Sequence, residues 1–146
     1  MDAPNTKRTN IRFRIVMARE IKFRAKVKYP ANYQRKRLQE YEWVEGDLHL
    51  RSMCPHIHTD LLKKYPIDTN TICEFTGAWD KNGTPIYEGD KVRFHLHDRF
   101  ADEPEFQEGF VVFEDGQFFA RLKCSTHNLA VCNGKDYEVV GNKFDD

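Results

Sequence analysis

Gly109-Phe-Val-Val-Phe-Glu-Asp-Gly-Gln-Phe-Phe-Ala-Arg-Leu122 is the stretch whose reading decides the fold class. Two apolar, β-prone runs, Gly109–Phe113 and Gln117–Leu122, flank an Asp115-Gly116 pair. Asp-Gly accepts the positive φ angles of a two-residue turn, so the stretch reads as a β-hairpin. Upstream, Lys91–Leu96 alternates basic and apolar residues, which places Val92, Phe94 and Leu96 on one face of a strand. Asp80-Lys-Asn-Gly83 is a second turn signal, with strand over Thr71–Thr76 before it and extended chain over Pro85–Tyr87 after it. Leu129–Cys132, Asn133-Gly134 and Tyr137–Val140 suggest a further hairpin, and 98–108 reads as an acidic loop.

The first half of the chain is less regular. Ile21, Phe23, Ala25 and Val27 alternate with Lys22, Arg24, Lys26 and Lys28, the pattern of a half-buried strand. Its basic row would face solvent or an acidic neighbour. A lysine-lined edge strand, protected against unwanted pairing, is the preferred reading. Residues 30–40 read as a polar loop or short helical turn. Residues 41–50 read as a strand with Trp43 buried and a bend or bulge at Gly46-Asp47. Thr59–Tyr65 is the helix candidate, capped by Thr59 and stopped by Pro66. The expected fold is therefore mainly β, or α+β with little helix. It is a small antiparallel β-barrel or sandwich-like domain with one short helix. Residues 1–16 read as a flexible N-terminal extension, and 17–146 as a single β-rich domain.

Composition narrows the class. The 146 residues include 11 Phe, 6 Tyr and 2 Trp, enough aromatic area to close a core although only 40% of the chain is hydrophobic. Net charge is zero, yet residues 1–40 carry a net +9 and residues 41–146 a net −9. Such a split suits a basic arm for nucleic acid, or two halves that face each other within a chain or across a subunit interface. The second reading ranks first. Four scattered cysteines do not make a disulfide scaffold, and no apolar run approaches the ~18 residues of a membrane span. A cytoplasmic protein with reduced thiols and no membrane association is expected.

Three groups of residues invite a chemical reading. Cys54, His56 and His58 lie within five residues, and Cys124 and His127 have a ligand-like spacing, with Cys132 nearby. The preferred reading is buried thiols and solvent-facing histidines, with no metal and no cofactor. Arg93, His95 and His97 share one strand face, which reads as its solvated side rather than an anion-contact row. Asp80, Glu88 and Asp90 sit in or beside turns, where carboxylates serve the backbone more often than acid–base chemistry. Glycine-rich phosphate loops, nucleophile elbows and zinc-protease motifs are not found in the sequence. Arg35, Lys36 and Arg37, close to Tyr29, Tyr33 and Tyr41, are candidate nucleic-acid contacts together with Arg93.

The run from Phe75 to Val92, with Thr76-Gly77, Asp80-Lys-Asn82-Gly83 and Ile86-Tyr87-Glu88-Gly89-Asp90-Lys-Val92, closely resembles the signature of the YopX family of phage and prophage proteins. Arg19–Ala25, Trp43–Leu48 and Tyr137–Asn142 resemble its opening, middle and closing segments. Ala78-Trp79 departs from the usual pattern, and the region Arg51–Tyr65 is of a variable kind. The resemblance implies a β-rich fold, a phage or prophage origin and a bacterial cytoplasm, and it implies no reaction. The motif residues read as structural, and no catalytic residue is assigned. The expected function is that of a non-enzymatic phage accessory protein that self-associates and has a phage or host protein as partner. A nucleic-acid-binding small barrel is the alternative.

Overall fold

The computed structural model describes residues 20–51, 53–60, 63–96, 105–122, 126–128 and 136–145. Among these residues eleven strands build two antiparallel sheets. The first six are β1 (Phe23–Lys26), β2 (Trp43–His49), β3 (His56–Asp60), β4 (Lys63–Pro66), β5 (Cys73–Trp79) and β6 (Pro85–Tyr87). They form one sheet in the order β4-β3-β2-β1-β5-β6. The remaining five are β7 (Asp90–Leu96), β8 (Glu105–Glu114), β9 (Gln117–Leu122), β10 (Thr126–Asn128) and β11 (Tyr137–Asn142). These form the second sheet in the order β10-β9-β8-β7-β11. The mainly-β expectation holds. Among the described residues neither sheet closes into a barrel, and helix is confined to a 3-10 turn at Thr69–Thr71 and a 3-10 residue at Asp136.

The hairpin that decided the fold class is present in the expected register, with Val111 opposite Ala120 and Phe113 opposite Phe118. Asp115 (φ 51°) and Gly116 (φ 76°) make its turn. Val92, Val111, Phe118, Ala120, Leu122 and Tyr137 close one core on the inner face of this sheet, together with Ile86. A second core of Ala25, Val27, Tyr29, Val44, Ile57 and Ile67 covers one face of the first sheet. Cys73, Phe75 and Tyr87 form a smaller cluster, with Trp43 and Phe144 against it.

Several expectations are corrected. The described residues of the stretch 59–65 are strand and not helix: β3 and β4 pair antiparallel, with Ile57 opposite Tyr65 and Asp60 opposite Lys63. A seven-residue helix has little intrinsic stability, whereas the alternation His56-Ile57-His58 sends Ile57 wholly into the core. Strand β1 is not an edge; it lies between β2 and β5. Its basic row faces acids instead, as described below. The acidic loop ends earlier than expected, because Glu105–Glu108 already pair with β7. Strand β5 starts only after the 3-10 turn. Strand β11 pairs with β7, while the first arm of the hairpin expected over 129–140 lies outside the described residues. So do the N-terminal extension over 1–16, His97 and the side chains of His95 and Leu96.

Gly46 is where β2 passes from its pairing with β1 to its pairing with β3. Its φ is 151°, and a Cβ there would lie 2.0 Å from the His58 carbonyl oxygen. That contact is backbone, so relief requires the β2–β3 ladder to move. Gly46→Ala is expected to lower the unfolding free energy by about 2–3 kcal/mol in urea titration, mainly by loosening β3 and β4.

Candidate functional site

The basic row of β1 builds the junction between the sheets. Arg24 projects from the face of β1 opposite Ala25, and its guanidinium lies between two aromatic rings, 4.6 Å from the Trp43 centroid and 4.5 Å from that of Tyr87. Arg24 Nη2 donates to Asp90 Oδ1 at the first residue of β7. Asp90 is fully buried, and it also accepts from the Tyr87 amide (2.8 Å) and from Asn142 Nδ2 (3.0 Å). One carboxylate thus ties β1, the β6–β7 turn and β11 together. Burial pushes the Asp90 carboxyl up from the ordinary carboxylate range, working against Arg24 foremost and then the two amides. Tyr87 donates its hydroxyl to Glu45 Oε2 at 2.7 Å, and burial raises that hydroxyl well above its usual value. Burial also pushes the Cys73 thiol up, which suits an inert core thiol. Lys26 continues the row, paired with Asp145 at 3.2 Å and donating to the Phe144 carbonyl at 2.5 Å.

The rest of the signature serves the same end. Asp80 is buried and accepts from the amides of Asn82 and Thr84 (both 2.8 Å) through Oδ1, which holds the Asn82-Gly83 turn. Its Oδ2 accepts from the Val139 amide at 2.9 Å, binding that turn to β11. Thr76 Oγ1 donates to the Ile86 carbonyl (2.7 Å) and accepts from the Ala78 amide (3.2 Å) across Gly77. Glu88 and Gly89 connect the sheets through backbone bonds: Glu88 N to Glu74 O (2.9 Å), Gly89 N to Val111 O (2.8 Å) and Lys143 N to Gly89 O (3.0 Å). Ile86, Tyr87 and Val92 are core. The carboxylates of Asp80 and Asp90 are therefore consumed by backbone amides and a cation.

The residues with metal-ligand spacing separate. His56 and His58 come together on the outward face of β3, and His49 of β2 joins them from directly across the strand pair. Alternation places all three opposite Leu48 and Ile57, which face the core. One ligand nitrogen from each lies within 4.8 Å of the others, and His56 Nε2 is 2.9 Å from His58 Nε2. The His49 and His56 rings stack at 5.1 Å. His58 is lowered from its ordinary value by desolvation first, then by His49, His56 and Lys64, with Asp47 acting in the opposite sense. Cys54 contributes its carbonyl, which accepts from His56 Nδ1 at 2.9 Å. His127 goes elsewhere: its Nδ1 is 2.7 Å from the Tyr137 hydroxyl, and its ring packs edge-on against Phe94. Cys124 and Cys132 lie outside the described residues. The sequence reading missed His49 because its partners are cross-strand; the His49-x6-His56 spacing gives no signal without the β2–β3 register.

The nucleic-acid candidates also separate. Arg35, Lys36 and Arg37 are exposed together on the loop after β1, with Lys36 5.6 Å from the Tyr29 ring. Tyr29 and Tyr33 stack on each other at 5.0 Å, and the Tyr29 hydroxyl is held by Leu38. Arg93 lies on the outer face of the second sheet, paired with Glu108 at 3.0 Å and 4.5 Å from the Phe106 centroid.

The fold and its junction define a two-sheet β protein knotted by buried polar residues of one short motif. A family model described as YopX protein matches residues 22–146, and the chain belongs to the YopX family. None of the curated proteins and none of the solved structures matches it. No helix among the described residues is long and apolar enough to cross a membrane.

Removing one member of a buried ion pair leaves the other charge stranded. Asp90→Asn is expected to destabilise the fold by about 3–5 kcal/mol. Arg24→Met in the same background should recover part of that loss, because the stranded cation is gone. Urea unfolding of the two single variants and the double variant measures this coupling.

Proposed function

We propose that the protein is a non-enzymatic, phage-type accessory module of the bacterial cytoplasm that works by binding, and first of all by associating with a second copy of itself. The observation that carries this reading is the outer face of the five-stranded sheet. Phe106 and Phe110 stand 51% and 39% exposed, near the start and in the middle of β8. Half-buried Val112 and Phe119 lie beside them in register. Charges of both signs surround these rings: Lys91 and Arg93 on Glu108, at 3.3 and 3.0 Å, and Arg121 on Glu114 at 2.5 Å. A two-fold interface must be complementary to itself, and an apolar strip flanked by both signs meets that condition. Nucleic acid would instead call for one sign. The engagement of Asp80 and Asp90 by structural partners supports binding over acid–base catalysis.

A nucleic-acid-binding reading keeps one supporting observation. Arg35, Lys36 and Arg37 are exposed side by side, and no carboxylate among the described residues pairs with them. It ranks second because the neighbouring Tyr29 and Tyr33 are spent on stacking with each other rather than offered to bases.

Sedimentation velocity over a hundredfold concentration range tests the first reading. The unaltered chain is expected to move toward a dimer, and Phe110→Glu to shift the midpoint at least tenfold upward with unchanged circular dichroism. A strict monomer throughout would overturn it. Fluorescence anisotropy with short single- and double-stranded DNA and RNA tests the second. Binding at physiological salt that falls when Arg35, Lys36 and Arg37 are neutralised would reverse the order of the two readings.

A further inference from the structure

The geometry points to a divalent transition-metal site of zinc type at the β2–β3 corner, built from His49, His56 and His58. It is independent of the self-association reading and lies on the other sheet. Three imidazoles from two neighbouring strands converge on a face that is exposed at His49 and half-exposed at His56 and His58, so burial in the core is not what brings them together. Zinc bound by imidazoles at 2.0–2.1 Å in a tetrahedron needs nitrogens about 3.4 Å apart. The observed separations, 2.9 Å for His56–His58 and at most 4.8 Å within the group, bracket that value. Small side-chain rotations bring all three into range.

A second observation concerns the proton. His56 Nδ1 lies 2.9 Å from the Cys54 carbonyl oxygen. A carbonyl can only accept, so Nδ1 carries the hydrogen and Nε2 of the neutral ring keeps its lone pair. That lone pair is directed at His58 Nε2. A metal-binding histidine usually donates its other ring N–H to a carbonyl in this way, because that hydrogen bond fixes both tautomer and ring orientation. Without metal, His58 Nε2 would donate a hydrogen to His56 Nε2. On binding, the His58 hydrogen moves by exchange with solvent from Nε2 to Nδ1, so that both rings stay neutral and both Nε2 lone pairs become ligands. The corner stays open: His49 and His56 line a cavity of about 460 Å³ with Leu48, Leu50 and Arg51. Three protein ligands and an open side leave the fourth position to water or to an anionic group of a partner. The strands supply rigidity, since His49 and His56 are paired in register and Gly46 fixes the approach of β3.

The test uses the full chain without an affinity tag, dialysed against chelator and titrated with zinc chloride by calorimetry. One zinc per chain is expected, with His49→Ala, His56→Ala and His58→Ala each weakening affinity at least about tenfold. Cys54→Ser should leave it unchanged. Cobalt substitution should give visible bands of tetrahedral geometry without a thiolate charge-transfer band. In the unaltered chain, zinc should shift the imidazole NMR signals of three of the six histidines. Equal zinc affinity in the triple His→Ala variant would overturn the site, as would a thiolate band or loss of binding in Cys54→Ser.

Discussion

A half-buried guanidinium on a buried carboxylate, Arg24 on Asp90, is the constraint on which the two-sheet arrangement rests. Each sheet carries most of a core of its own, with Ile86 of β6 reaching into that of the second. The ion pair joins β1 of the first sheet to the first residue of β7 in the second. Desolvating both charges is costly, and the Coulomb attraction alone does not cover it. The surroundings supply the remainder. Trp43 and Tyr87 face the cation on both sides, and two N–H donors complete the anion. Nothing among the described residues accepts from Arg24 Nε, so the rings carry that edge of the guanidinium.

The signature motif gains a physical meaning from this. Asp80 and Asp90, ten residues apart, do parallel work. Each turns a carboxylate inward to stop a backbone turn, and each extends the other oxygen to a neighbouring element. Such carboxylates tolerate no substitution by Glu or Asn without loss of a bond or a charge. A motif dense in Asp, Gly and Tyr can therefore look like a catalytic centre in sequence while serving entirely as a joint.

What was legible in the sequence followed local periodicity. The hairpin at Asp115-Gly116, the alternation of β7 and the Asn82-Gly83 turn are set by neighbours two to four residues apart, and they read correctly. Thr59–Tyr65 failed because a Leu-Leu-Lys-Lys run flanked by Thr and Pro satisfies helix rules as well as strand rules. What decided it was Ile57 and Tyr65 meeting across a strand pair. The edge-strand reading of β1 failed for a related reason. Lysine and arginine rows are the same in sequence whether they face water or a buried acid 66 residues away. The histidine corner was half legible: His56 and His58 share a face by alternation, but His49 enters only through register.

The charge split between the halves of the chain is resolved in part by the same contacts. Arg24 and Lys26 meet Asp90 and Asp145 within one molecule, so the basic segment is matched at the junction by acids from the acidic part of the chain. The cations beyond β1, at 35–37, stay outside this pairing. The features available for recognition therefore lie away from the knot: the loop cations beside one core, the phenylalanine strip on the outer face of the other sheet, and the histidine corner two strands from β1. The last two sit on strand faces that alternation turns away from the packed side. Side chains there can change without touching Arg24, Asp80 or Asp90. A scaffold held by a few buried polar contacts leaves its outer faces free to acquire binding chemistry separately, and those are the places where this chain departs from pure architecture.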